Sequence, residues 1–238
     1  LVVTAICAIF GSFLFIRKST MIADAISHSI IPGIVVSIIL IGEKSAIGLI
    51  AGAIISGLLC TGLSDLIHRF TLLDKNAILG TLLTFFFSLG ICLISFFDYK
   101  NVDLDPECLI YGQVETLMLG STSLRSALFE LPFDTIFLLG VSTIAFFCYL
   151  FFGRMWVAMS FDNSYCLTRG MPTGLLSFIF NCLISIIIVA AFRICGPILV
   201  ISLLSCPPAI ARIFTNRFGT LVRISALVAI VLCLVGYF

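Results

Sequence analysis

Charge is what this sequence has least of. Only 11% of its 238 residues are Asp, Glu, Lys or Arg, less than half the roughly 25% of an ordinary soluble domain. So few charged groups cannot coat a water-soluble enzyme, and they exclude a disordered regulator. A net charge of +1 leaves no basic face for nucleic acid. There is no GxxxxGK[ST] phosphate loop, so the chain is not itself a P-loop ATPase, and HExxH and GxSxG are missing too. The ten cysteines form no CxxC pair, and most stand inside apolar runs. There a thiol acts as a small hydrophobe, and neither a disulfide framework nor a zinc knuckle is supported.

What is present is apolar: 61% of residues, with a mean hydropathy of +1.26. The excess runs the length of the chain, which makes it a polytopic membrane protein rather than a soluble domain with one anchor. With about 20 apolar residues per crossing as a ruler, eight runs qualify: roughly 1–16, 24–41, 46–66, 77–97, 131–152, 174–192, 195–211 and 220–238. They are continuous rather than alternating, so they are helices and not barrel strands. The fold class expected is all-α, one membrane domain over 1–238 with at least eight transmembrane helices, some broken by Gly or Pro. Leu1 and Phe238 both lie inside apolar runs, so the sequence reads as cut at both ends. Arg17 and Lys18 follow the first apolar run instead of preceding it, unlike a signal peptide.

Orientation follows from Lys and Arg. Placing Arg17 and Lys18 inside puts Arg69, Lys75, Arg154, Arg169, Arg212, Arg217 and Arg223 inside with them, against Lys44, Lys100, Arg125 and Arg193 outside. Two loops stand out. The outer stretch 98–115 is acidic, a solvated loop or a collector of cations. The inner stretch 153–173 has room for a short helix along the membrane.

Asp24 and His28, in MIADAISHSIIPG, are the sharpest feature. Ionisable residues in a spanning helix are costly and mark a site by default, and a spacing of four puts both on one face. Counting from Lys18, His28 lies about 15 Å deep, near the midplane. Carboxylate with imidazole suits Mn²⁺, Zn²⁺ or Fe²⁺; a helix-start Asp beside a His bonded to a neighbouring helix is the competing reading. The neutral imidazole is the ligand form, so metal binding at this pair should weaken as pH falls through about 6.5. Two ligands are half a shell, and a second copy of the chain is one source of the rest. Pro32-Gly33, Gly196-Pro197 and Pro207-Pro208 are candidate helix breaks of the kind found around transport sites. Gly48, Gly52 and Ser56 form a small-residue face for close helix packing. Ser27 is adjacent to His28 in sequence and points elsewhere, so no triad forms. Asp65 lies near an inner helix end and Asn181 stands alone, which leaves no second polar cluster.

Several stretches together resemble one family, the membrane permeases of ABC importers for manganese, zinc and iron. They are GSFLFIRKSTMIADAISHSIIPG (11–33), DKNAILGTLLTFFFSLGICLIS (74–95), Ile110-Tyr111-Gly112, SFDNSYCLTRGMP (160–172) and ICGPILVISLLSCPPAIAR (194–212). Ala23 and Pro197 depart from the family pattern. The resemblance implies that Asp24 and His28 bind the transported metal. It implies a cytoplasmic coupling helix over 161–172, with Phe161, Asp162, Gly170 and Pro172 engaging an ATPase. The implied partners are a second permease copy or paralogue, two cytoplasmic ATPase subunits that bind ATP, an extracytoplasmic metal-binding protein and membrane lipid. Neither nucleic acid nor a permanently bound cofactor is expected. The implied location is the bacterial cytoplasmic membrane, multi-pass. An importer permease for a siderophore or corrinoid, a membrane-embedded enzyme and a purely structural subunit are the alternatives.

Overall fold

A computed structural model describes residues 2–41, 46–71, 73–96 and 133–237. The described residues are mostly helical, joined by short turns, with no strand among them. The elements are α1 (Val2–Ile16), α2 (Met21–Ile41), α3 (Ala46–Phe70), α4 (Lys75–Phe96), α5 (Phe133–Phe161), α6 (Asn163–Thr168), α7 (Thr173–Phe214) and α8 (Phe218–Tyr237). Seven helical segments are long and apolar enough to cross a membrane, and the apolar Val3–Ile16 is shorter. The expected count of at least eight is thus seven long segments and one short one. The acidic stretch 98–115 and Ile110-Tyr111-Gly112 lie outside the described residues, as do Lys44, Lys100 and Arg125 of the outer charge tally.

Local chemistry explains the joints. α1 ends in a Schellman turn: the Ser19 amide donates to the Leu14 carbonyl at 3.0 Å and the Lys18 amide to Phe15 at 3.1 Å. Lys18 takes the left-handed conformation this turn requires, φ 53°. α7 counts as two crossings, Thr173–Phe192 and Cys195–Phe214, because Gly196 adopts φ 72°, ψ 164° between them. No residue with a Cβ takes that φ readily, and Pro197 cannot donate a helical hydrogen bond. Phe180 lies under Arg17, and Arg212 shares a cavity with Lys18. Both arms of α7 therefore start or finish at the same end, and the chain reverses at Gly196. α2 instead runs as one helix through Pro32. α5 continues through Arg154 to Phe161, so much of the stretch read as an inner loop extends a spanning helix.

The helices form two groups that meet on α7. α2 packs most heavily on α3 and α4; α1 packs on α7, α8 and α5; α2 and α3 also pack on α7. Small residues bring α2 and α3 close. Ser37 Oγ donates to the Gly48 carbonyl at 2.7 Å, Ser56 Oγ to that of Ser29, and Gly33 faces Gly52 backbone to backbone. Aromatic rings fill the second group. Trp156 is fully buried among Phe10, Phe13 and Phe180, with ring centroids 6.1, 6.5 and 5.3 Å away. Its Nε1 donates to the Leu176 carbonyl at 3.3 Å. Trp156→Ala removes the piece that joins α1, α5 and α7 and should cost about 3–5 kcal/mol. Thermal unfolding of the detergent-solubilised protein measures this; a midpoint equal to the parent's would contradict it.

Candidate functional site

Ser19 and Thr20 start α2, their carbonyls accepting from the Ile22 and Ala23 amides at 3.2 Å. Asp24 falls in the first turn, where the helix dipole favours an anion. His28 lies one turn further, about 10 Å from the start of the helix. The turn at 17–20 takes up chain that a count from Lys18 assigns to helix, which shortens the expected 15 Å by roughly a third. Ala25, Ile26, Ser27, Ser29 and Ile30 are buried, while Asp24 and His28 are half-buried and Met21 is exposed. The pair thus occupies the open stripe of an otherwise enclosed helix. The His28 ring meets Phe87 of α4 edge to face, centroids 5.3 Å apart. Pro32 has no N–H to give the His28 carbonyl, which leaves that acceptor without its usual helical partner. Among the described residues no group of three or more His, Cys, Asp or Glu converges, so no third side chain of those types joins Asp24 and His28.

The stretch 161–172 has its own geometry. Asp162 caps α6, its carboxylate accepting from the Tyr165 amide at 3.0 Å. Gly170, φ 71°, closes α6 in a second Schellman turn: its amide donates to Leu167 at 3.0 Å and that of Met171 to Cys166 at 3.1 Å. Pro172 then precedes α7, placed where a missing N–H costs nothing. Phe161 is largely exposed and meets Phe218 of α8 edge to face at 6.1 Å. Of the other residues read as breaks, Gly33 serves close packing and Gly196 with Pro197 turns the chain.

A second polar cluster, not legible in the sequence, lies at the same end. Asp65 accepts from Lys75 Nζ at 2.8 Å through Oδ1 and from Asn181 Nδ2 at 2.7 Å through Oδ2. Asn181 is buried and far from standing alone. Arg17 Nε donates to Ser160 Oγ at 3.0 Å, and its guanidinium lies 4.2 Å from the Phe180 ring centroid. Burial pushes the Arg17 guanidinium down to about 10, opposed by the Asp65 carboxylate; it stays cationic at neutral pH. Arg17, Asp65, Lys75, Ser160 and Asn181 line a cavity of about 640 Å³, together with Arg69. A neighbouring cavity holds Lys18, Phe161 and Arg212. Basic residues of α1, α3, α4 and α7 thus gather at one end, which the positive-inside rule makes cytoplasmic.

A family model described as the ABC 3 transport family matches residues 1–238. The chain belongs to that family. The resemblance carried by 11–33, 74–95, 160–172 and 194–212 therefore holds. As an ABC 3 family member the chain is a multi-pass membrane transport subunit, and ATP hydrolysis belongs to a separate subunit. It is 30% identical over 237 residues to the manganese transport system membrane protein MntD of Bacillus subtilis, covering 98% of this chain and 78% of that one. It is 29% identical over 217 residues to the zinc transport system membrane protein TroC of Treponema pallidum, covering 91% and 69%. It is 27% identical over 239 residues to the chelated iron transport system membrane protein YfeD of Yersinia pestis, covering 99% and 72%. In fold it is similar to PsaBC from Streptococcus pneumoniae, solved in complex with Fab: TM-score 0.72 at 24% identity, covering 96% of this chain and 75% of that chain.

Proposed function

We propose that this chain is the permease subunit of an ATP-driven importer that moves a divalent transition metal, manganese, zinc or iron, into the cytoplasm. The observation that carries this reading is the Asp24–His28 stripe, an acid and an imidazole on the open face of α2 in an ABC 3 family chain. Relatives named for manganese, zinc and iron transport support the choice of substrate class. The donor set fits all three metals, since carboxylate and imidazole oxygen and nitrogen ligands suit Mn²⁺, Zn²⁺ and Fe²⁺ alike. Further ligands come from a second permease copy or paralogue across the α2–α4 face, where Phe85 and Ile91 are also exposed. On this reading α1 is an eighth, short crossing, and 1–238 is one permease domain of the bacterial cytoplasmic membrane. An extracytoplasmic metal-binding protein delivers the ion, and two cytoplasmic ATPases drive its passage. The test is the metal content of cells with and without this chain. Manganese, zinc or iron should fall on its loss, and unchanged levels of all three would overturn the proposal.

The stretch 161–172 is the ATPase contact on the same reading. α6 is too short to hold itself in water, and Asp162 supplies its N-terminal cap. Asp162→Ala should cost the helix about 1 kcal/mol and weaken co-purification of the ATPase severalfold while metal binding is unaltered. ATPase recovery equal to the parent's would show that α6 is not the contact.

A further inference from the structure

We infer that Asp65 is the positioning residue through which the coupling stretch acts on the helix that carries Asp24 and His28. This rests on the permease reading above. On that reading the α2–α4 helices, which present the pair to the second copy, move when α5 and α7, the helices rooted at the two ends of the coupling stretch, move; α2 and α3 both pack on α7. Among the described residues, Asp65–Asn181 is the side-chain pair whose hydrogen bond joins one group to the other, at 2.7 Å. Both roots of the coupling stretch reach it. Ser160, next to Phe161, holds Arg17, which lines the same cavity as Asp65. Thr173, next to Pro172, begins the helix on which Asn181 lies about 12 Å further along.

From Asp65 the path divides towards the metal pair. Its other oxygen holds Lys75 at the start of α4, the helix whose Phe87 meets His28. Its own helix, α3, is fastened to α2 by the Ser29–Ser56 and Ser37–Gly48 hydrogen bonds. Asp65 also borders the 640 Å³ cavity, with Arg17, Arg69 and Lys75 around it. A carboxylate beside open volume and among several cations can exchange partners as the groups slide. A packed apolar contact at the same place could not do so without opening a void. Two discrete partner arrangements at one carboxylate are the kind of bistable element that coupling requires.

The test uses the whole permease–ATPase complex in proteoliposomes and measures metal ions carried per ATP hydrolysed, with Mn²⁺, Zn²⁺ and Fe²⁺ in turn. Asn181→Leu keeps volume and removes the donor. It should hydrolyse ATP within about twofold of the parent and carry about fivefold less metal per ATP or worse, the lower end of ordinary coupling energies. The exchange Asp65→Asn with Asn181→Asp rebuilds the hydrogen bond with the partners reversed and should recover most of the ratio. A purely structural role would lower ATP hydrolysis and transport together and leave the ratio where it was. An unchanged ratio in Asn181→Leu, or an exchanged pair that assembles and stays uncoupled, would overturn the inference. His28→Ala is measured alongside. Transport by that variant counts against the metal site and not against the tie, because the Asn181→Leu ratio is still read against the parent's.

Discussion

Asp24→Ala and His28→Ala should each abolish accumulation of the transported metal while the protein stays in the membrane at its normal level. Each change removes one of two side chains that the site owes to this chain. Groups that merely orient a ligand are worth 10–100-fold in affinity, so loss of a ligand itself should lower uptake by at least about tenfold. The fold should survive. Both side chains are half-buried on the open stripe of α2, so truncation leaves no sealed cavity, and the core residues Ala25, Ile26 and Ile30 beneath them are untouched. The measurement is intracellular metal by elemental analysis beside an immunoblot of the membrane fraction. Asp24→Asn sharpens it, because that variant keeps shape and discards charge. If Asp24 only favours the helix dipole, Asp24→Asn should transport normally; if it binds a dication, Asn should fail almost as badly as Ala. Normal metal content in His28→Ala cells would sink the metal-site reading. Transport retained without Asp24 would favour an importer of a larger ligand, which needs a cavity rather than metal donors.

What the sequence disclosed and what it concealed follow from the range of the interactions. Helix existence is local: about 20 apolar residues in a row leave the chain few choices in lipid. The ends of α6 were equally local, written in Asp162, Gly170 and Pro172 within a dozen residues. Asp24 and His28 stood out because charge in an apolar run is expensive wherever the helix packs. Asp65 and Asn181 did not, because their meaning is their meeting, and they are separated by 116 positions. The small-residue face of α3 was visible as Gly48, Gly52 and Ser56, yet its mate on α2 was not. Ser29, Gly33 and Ser37 share that spacing of four, but Pro32 beside Gly33 suggested a break and masked it. A proline in a membrane helix is tolerated when the neighbouring helix holds the geometry, and here Gly90 of α4 lies against Pro32 while Gly52 of α3 lies against Gly33. His28 stands fewer residues along its helix than a count from Lys18 gives, because the chain turns at 17–20, and a left-handed Lys18 is not foreseeable from a residue type that seldom adopts that conformation.

Gly11→Ala should be the most damaging added methyl among the described glycines. A Cβ on Gly11 would overlap the Leu204 carbonyl oxygen, which is main chain and cannot rotate away. Pro208 explains why that oxygen is there. It has no N–H to return to Leu204, so the carbonyl lacks its helical partner and faces the Gly11 Cα, a contact of the weak C–H···O kind that recurs between helices. One consequence is that α1 and the second arm of α7 approach backbone to backbone where the sequence shows only a Gly and, far away, a Pro-Pro pair. Gly33→Ala meets Gly52 in the same way, and the clash is mutual, since a Cβ on Gly52 would strike the Gly33 carbonyl. Overpacking against side chains costs about 1–3 kcal/mol; against backbone, the helices must separate and the loss should reach or exceed the upper figure. Gly80→Ala and Gly140→Ala are the controls, because nothing lies within 4 Å of a Cβ at either position, and alanine there favours the helix by roughly 0.5–1 kcal/mol. Thermal unfolding and size-exclusion of the four purified variants should separate them cleanly, with Gly11→Ala and Gly33→Ala losing monodisperse protein and the controls matching the parent or bettering it. A Gly11→Ala protein as stable as Gly80→Ala would mean that α1 and α7 do not touch at that point.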